Sequence, residues 1–133
     1  MNKMEITREV YRRIVGEANS AAPLECCGYL AGVGKKITHA YPMKNMDQSR
    51  EHFSLDPGEQ FATIKQIRKE NLKVLAVYHS HPETPARPSE EDIRLAYDSE
   101  ISYVIVSLCG EREAVRSYQI HNGQATPEEL TIL

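Results

Sequence analysis

Residues 73–92, KVLAVYHSHPETPARPSEED, leave the chain few ways to run. The first nine are apolar and β-branched up to a pair of histidines, which predicts a strand ending at His79-Ser80-His81. The next seven residues, PETPARP, hold three prolines and can only be loop. SEEDIRLAYDSE, residues 89–100, then predicts a helix that Ser89 would cap. Side chains alternate between the faces of a strand, so His79 and His81 project together while Ser80 points the other way.

The remaining segments alternate between the same two periods. ITREVYRRIVGEANSA (6–21) reads as a helix with Thr7 at its N-cap and Ile6, Val10, Ile14 and Val15 near helical spacing. PLECCGYLAGV (23–33) reads as a buried strand, with a close backbone approach at Gly28. KKITHAYPM (35–43) is a second strand, and the polar stretch 44–55 is a loop. DPGEQFATIKQIRKENL (56–72) has Pro57 near its start and Phe61, Ile64, Ile67 and Leu72 on one helical face. ISYVIVSL (101–108) and EAVRSYQI (113–120) are strands around the turn CGER. No repeat, linker or low-complexity segment interrupts them. The expected fold is one α/β domain over residues 1–133, with a mixed rather than a purely parallel sheet.

Composition narrows the partners. At 133 residues, 41% hydrophobic and 26% charged, the chain can bury a core of its own. A formal net charge of −3 supplies no basic footprint, so no nucleic-acid partner is expected. No apolar run approaches the roughly 18 residues of a membrane span. The start lacks the apolar stretch of a secretory signal, so no membrane partner and a cytoplasmic address are expected. Three cysteines, two of them adjacent (Cys26 and Cys27), suit a reducing compartment rather than a disulfide framework. Without Cys-x-x-Cys spacing those two read as packing, and a zinc-deaminase signature is absent. His39, His52 and His121 read as solvated. With no tryptophan and scattered tyrosines, there is no aromatic stacking platform.

Two imidazoles at i and i+2 of a strand, ~6–7 Å apart at Cα, can converge on one metal ion. Asp92, turned back by the proline loop, could supply a third ligand, leaving a fourth position for water as in catalytic zinc sites. A surface His-x-His and a Ser89/Asp92 capping box account for the same residues without chemistry. Hydrolysis at such a site needs a base. Glu25 is an ionisable residue in an apolar strand, which is either a water-facing edge position or a buried acid beside the site.

Together, Glu25, His79-Ser80-His81-Pro82, seven residues from His81 to Ser89, and then Asp92 resemble the JAMM (MPN+) metalloprotease motif, E…H-S/T-H-P-x…S-x-x-D. PLECCGYLAG looks like the opening strand of the short bacterial and archaeal members, and the resemblance spans nearly the whole chain. It implies a single-domain JAMM/MPN fold of cytidine-deaminase-like type, a curved mixed β-sheet flanked by helices. It also implies that His79, His81 and Asp92 hold Zn²⁺, that Glu25 is general base, and that Ser89 donates to the oxyanion. Members that have lost catalysis lack the motif, whereas every position is present here. That favours a zinc peptidase or isopeptidase over a non-catalytic module gripping a ubiquitin-like partner. The short CGERE turn and single sizeable loop resemble prokaryotic members acting on ubiquitin-like sulfur carriers. The implied substrate is an amide bond after a C-terminal diglycine, in cysteine, thiamine or molybdopterin sulfur chemistry. Such a tail is expected to enter a narrow cleft as an extended strand and pair with a sheet edge.

Overall fold

A computed structural model describes residues 3–133. In chain order the elements are β1 (Lys3–Ile6), α1 (Arg8–Ala21), β2 (Cys27–Val33), β3 (Lys36–Met43), α2 (Pro57–Lys69), β4 (Lys73–His81), α3 (Glu90–Arg94), β5 (Ser102–Ser107), β6 (Ala114–His121) and β7 (Gln124–Ile132). The mixed sheet expected from the sequence is present. β4 pairs parallel with β5 and antiparallel with β2, and β1 pairs parallel with both β3 and β7.

Those last two pairings close the sheet into a barrel in the order β1-β3-β2-β4-β5-β6-β7. Every strand therefore has a partner on both sides. The closure is partial: β1 meets β3 only at Lys36 and Ile37 and meets β7 only from Glu129 to Ile132, so the rest of β3 and the first half of β7 keep an open edge.

Both faces of the sheet are covered. Leu30, Tyr78, Val104 and Val106 pack with Val10, Ile14 and Ala18 of α1. The opposite parity, Tyr29 and Ala31, packs with Ile67 of α2, while Ile105 and Ile120 meet Ile93 and Ala96 around α3. His79 lies opposite Ile105 in the parallel register, so both histidines belong to the face of α2 and α3. Among the described residues no helix is long and apolar enough to cross a membrane.

Three elements depart from the sequence reading. Ile6 is not in the first helix but ends β1, where it is fully buried between Ile37 and Ile132. Its helical spacing to Val10 is a coincidence of a strand abutting a helix, and Thr7 caps as expected, accepting from Val10 N–H at 3.3 Å. β7 was not anticipated; Asn122 and Gly123, both at positive φ (49° and 76°), form the tight hairpin that an Asn-Gly pair favours. The helix expected over 89–100 stops at Arg94. Beyond it the chain turns into β5, held by Tyr103, whose hydroxyl donates to the Asp98 carbonyl at 2.8 Å. The close approach at Gly28 is real: a Cβ there would lie 2.3 Å from the Tyr41 carbonyl oxygen and 2.8 Å from the Tyr78 ring.

Candidate metal centre

β4 delivers both histidines from its last turn of pleat, and they are nearly fully buried. Ser80 between them faces the other way, accepting the Cys26 N–H on its hydroxyl at 2.8 Å. Ser89 caps α3 in a full capping box. Its hydroxyl accepts from Asp92 N–H at 3.0 Å, and its own N–H donates to Asp92 Oδ2 at 2.9 Å. That box holds the same Oδ2 at 3.1 Å from His79 Nε2 and 3.1 Å from His81 Nε2, with 3.1 Å between the two nitrogens. The capping and the converging readings of Ser89 and Asp92 are therefore one geometry.

The triangle fits a small divalent ion. A tetrahedral zinc holds such donors ~2.0–2.1 Å away, hence ~3.3 Å from one another. His81 Nδ1 lies 2.9 Å from the Pro85 carbonyl, which can only accept, so this nitrogen carries a proton, and in the neutral ring Nε2 turns a lone pair inward. Two ring nitrogens and a carboxylate oxygen pointing at one spot repel unless a proton or a metal ion lies between them. Among the described residues these three form the one His/Cys/Asp/Glu group that could hold a metal ion.

Without a metal ion, protons lie between these atoms and set their electrostatics. Burial holds the His79 pKa below the ordinary imidazole value, against the pull of Asp92. Burial lowers His81 too, but the hydrogen bond to Asp92, the Pro85 carbonyl and the charges of Asp92 and Glu25 outweigh it and leave it raised. Burial disfavours the Asp92 charge, yet its bonds to both imidazoles and the Ser89 N–H hold it ionised far below the usual carboxylate range.

Glu25 lies just before β2 rather than inside it. The antiparallel register pairs Cys27 with His79, so continuing two residues sets Glu25 across from His81 on the same face. It is 4% exposed. Among the described residues, Glu25 Oε1 and His79 Nδ1 are the two buried side-chain polar atoms lacking a hydrogen-bond partner. Burial drives the Glu25 pKa up to about 8; His81 opposes this and Asp92, Glu91 and Glu51 reinforce it. All five expected site residues thus meet at the open end of the β2–β4 pair.

Other neighbours were not legible in the sequence. Phe53, from the loop between β3 and α2, stacks on His79 with ring centroids 4.6 Å apart. A cleft of about 410 Å³ runs from His79 and Asp92 past Phe53, Leu55, Tyr29 and Tyr103. Cys26 and Cys27 are buried, and burial pushes both thiols up to about 12, so they are packing residues as expected. His39 and His121 are exposed; His52 is half-buried and paired with Asp47 at 2.9 Å.

A barrel of this topology with a His-x-His strand end facing a capped aspartate defines a JAB/MPN-type domain. The chain belongs to the Prok-JAB family, the prokaryotic homologs of the JAB domain, whose model matches residues 7–121. It is 32% identical over 131 residues to the CysO-cysteine peptidase of Mycobacterium tuberculosis, covering 96% of this chain and 90% of that protein. It is 35% identical over 104 residues to a probable TtuB-protein conjugate cleaving protease of Thermus thermophilus, covering 77% and 66%. A solution structure from Desulfitobacterium hafniense matches at a TM-score of 0.88 and 39% identity, over 98% of this chain and 92% of that one.

Proposed function

We propose that residues 1–133 form a single zinc peptidase domain that hydrolyses the amide bond following the C-terminal diglycine of a ubiquitin-like or sulfur-carrier protein. The observation that carries this reading is the 3.1 Å triangle of His79 Nε2, His81 Nε2 and Asp92 Oδ2 beside an unpartnered buried carboxyl. The relatives' names, a peptidase for CysO-cysteine and a protease for TtuB conjugates, support the substrate class.

Zinc held by these three residues would supply Lewis acidity for the scissile carbonyl and for water, and a positive charge that draws the Glu25 pKa back down. Glu25 takes a proton from the attacking water as its oxygen bonds to the carbonyl carbon. It returns that proton to the amine as the C–N bond breaks, so carrier and amine leave and the base is regenerated. The Ser89 hydroxyl accepts from Asp92 N–H, which leaves its own O–H to donate to the oxyanion.

The open stretches of β3 and β7 do not line the cleft, so the tail pairs along Phe53–Leu55, which walls it. Ser54 spends both backbone groups inward, its N–H on Asn45 and its C=O on Met46. The backbone groups of Phe53 and Leu55 have no partner among the described residues and are left for an extended peptide. Glycines suit the last two positions because side chains there would meet the cleft walls.

The test is a carrier ending in diglycine plus one residue, incubated with zinc-loaded protein and read by intact mass. We expect loss of the residue after the diglycine, slowed roughly 10²–10⁴-fold in Glu25→Gln. An unchanged mass with zinc bound, or undiminished cleavage by Glu25→Gln, contradicts the proposal.

A further inference from the structure

Glu25 raises a mechanical problem. Its Oε1 is buried without a partner, so nothing at the end of the side chain fixes its direction. Its backbone must do so, yet it precedes β2 and lies outside the regular ladder. Four hydrogen bonds hold that backbone. Glu25 N–H donates to the Ser49 carbonyl at 2.8 Å, and Cys26 N–H donates to Ser80 Oγ at 2.8 Å. The Cys26 carbonyl accepts from Ser80 N–H at 3.0 Å, and the Glu25 carbonyl accepts from Asn45 Nδ2 at 3.1 Å.

Asn45 is the unusual member. It is 9% exposed, in the loop between β3 and α2. Its second N–H donates to the His52 carbonyl at 3.1 Å, and its Oδ1 accepts from Asp47 N–H at 3.0 Å and Ser54 N–H at 3.3 Å. Both donors and both lone pairs of the carboxamide are used, which is the condition for burying such a group without penalty. Among the described residues no other side chain bonds both the Glu25 main chain and the 47–54 segment. Phe53, the residue stacked on His79, lies between His52 and Ser54, two of the three loop positions that Asn45 bonds.

We propose that Asn45 is a positioning residue for Glu25, locking the main chain that aims the carboxylate and coupling it to the loop that walls the cleft. This rests on the peptidase reading above. A residue that acts through Glu25 has nothing left to contribute once Glu25 cannot accept a proton, whereas one that merely stabilises the fold costs the same in either background.

Asn45→Asp keeps the shape and the acceptor but removes both donors; Asn45→Ala is the second variant should the aspartate fail to fold. In zinc-loaded protein we expect kcat to fall about 10–100-fold, as misplacement of a catalytic group does, with zinc content unchanged. Combined with Glu25→Gln, either substitution should cost nothing further. Independently of activity, amide exchange at Glu25 N–H, followed by NMR, should quicken at least about tenfold while β4 amides stay protected. If wild-type protein cleaves no carrier, the peptidase reading fails and the exchange measurement alone decides Asn45. Unchanged exchange, kcat within about threefold of wild type, or a loss that multiplies in the Glu25→Gln background overturns the proposal.

Discussion

Glu25 is an acid placed where its charge is poorly solvated, and two consequences can be measured. It is not one of the three converging donors, so Glu25→Gln should retain zinc while kcat falls roughly 10²–10⁴-fold; elemental analysis and initial rates check both, and zinc lost with the substitution makes Glu25 a ligand. The second concerns metal-free protein, where burial lifts the folded pKa to about 8 from an ordinary 4.5. Below pH 4.5 both folded and unfolded chains are protonated and the group is neutral in the balance. Between the two values the unfolded chain ionises and the folded one resists, so stability is lost as pH rises through that window. Glu25→Gln, which never ionises, should melt with wild type at pH 4 and roughly 5 °C above it at pH 8.5. Ser89 separates its two duties in the same way. Ser89→Asp preserves an N-cap but removes the donor and adds charge beside the oxyanion. Melting should stay near normal while turnover drops more than about a hundredfold; near-normal turnover would reduce Ser89 to a cap.

At the scale of elements, the site depends on how closely β2 runs between β3 and β4, and Gly28 sets that spacing, with the Tyr41 backbone of β3 on one side and the Tyr78 ring of β4 on the other. A methyl at 28 would sit 2.3 Å from the Tyr41 carbonyl oxygen, a backbone atom that cannot swing aside. Gly28→Ala should therefore cost about 2–3 kcal/mol in denaturant unfolding and reduce cleavage by shifting the Glu25 lead-in. Unaltered stability would mean the strands part at no cost. What could be read from the chain follows the same division. The histidine pair and the Ser89/Asp92 box were legible because strand alternation and helix capping are local rules. Gly28 was legible because an apolar strand has little other use for glycine. β1 was not, because four residues of strand merge into the periodicity of the helix that follows. The Asn122-Gly123 turn did carry a hairpin signal for β7. Asn45 and Phe53 could not be read from any spacing, since their roles depend on the path of a loop.

At the scale of the whole molecule, closure of the barrel decides what the cleft can offer. β1 joins β7 across nearly the full length of the chain, a pairing that no local pattern announces, and the edges it leaves open on β3 and β7 do not line the cleft. The proposed tail site is therefore the loop between β3 and α2, which walls the cleft beside His79. The metal is the part of this account on which the others depend. The most direct measurement is zinc per chain, by elemental analysis of protein purified without added metal, in wild type and in the His79→Ala, His81→Ala double variant. The account predicts near-stoichiometric zinc in the first and almost none in the second, with the double variant still folded. Zinc retained at the wild-type level in the double variant would contradict it.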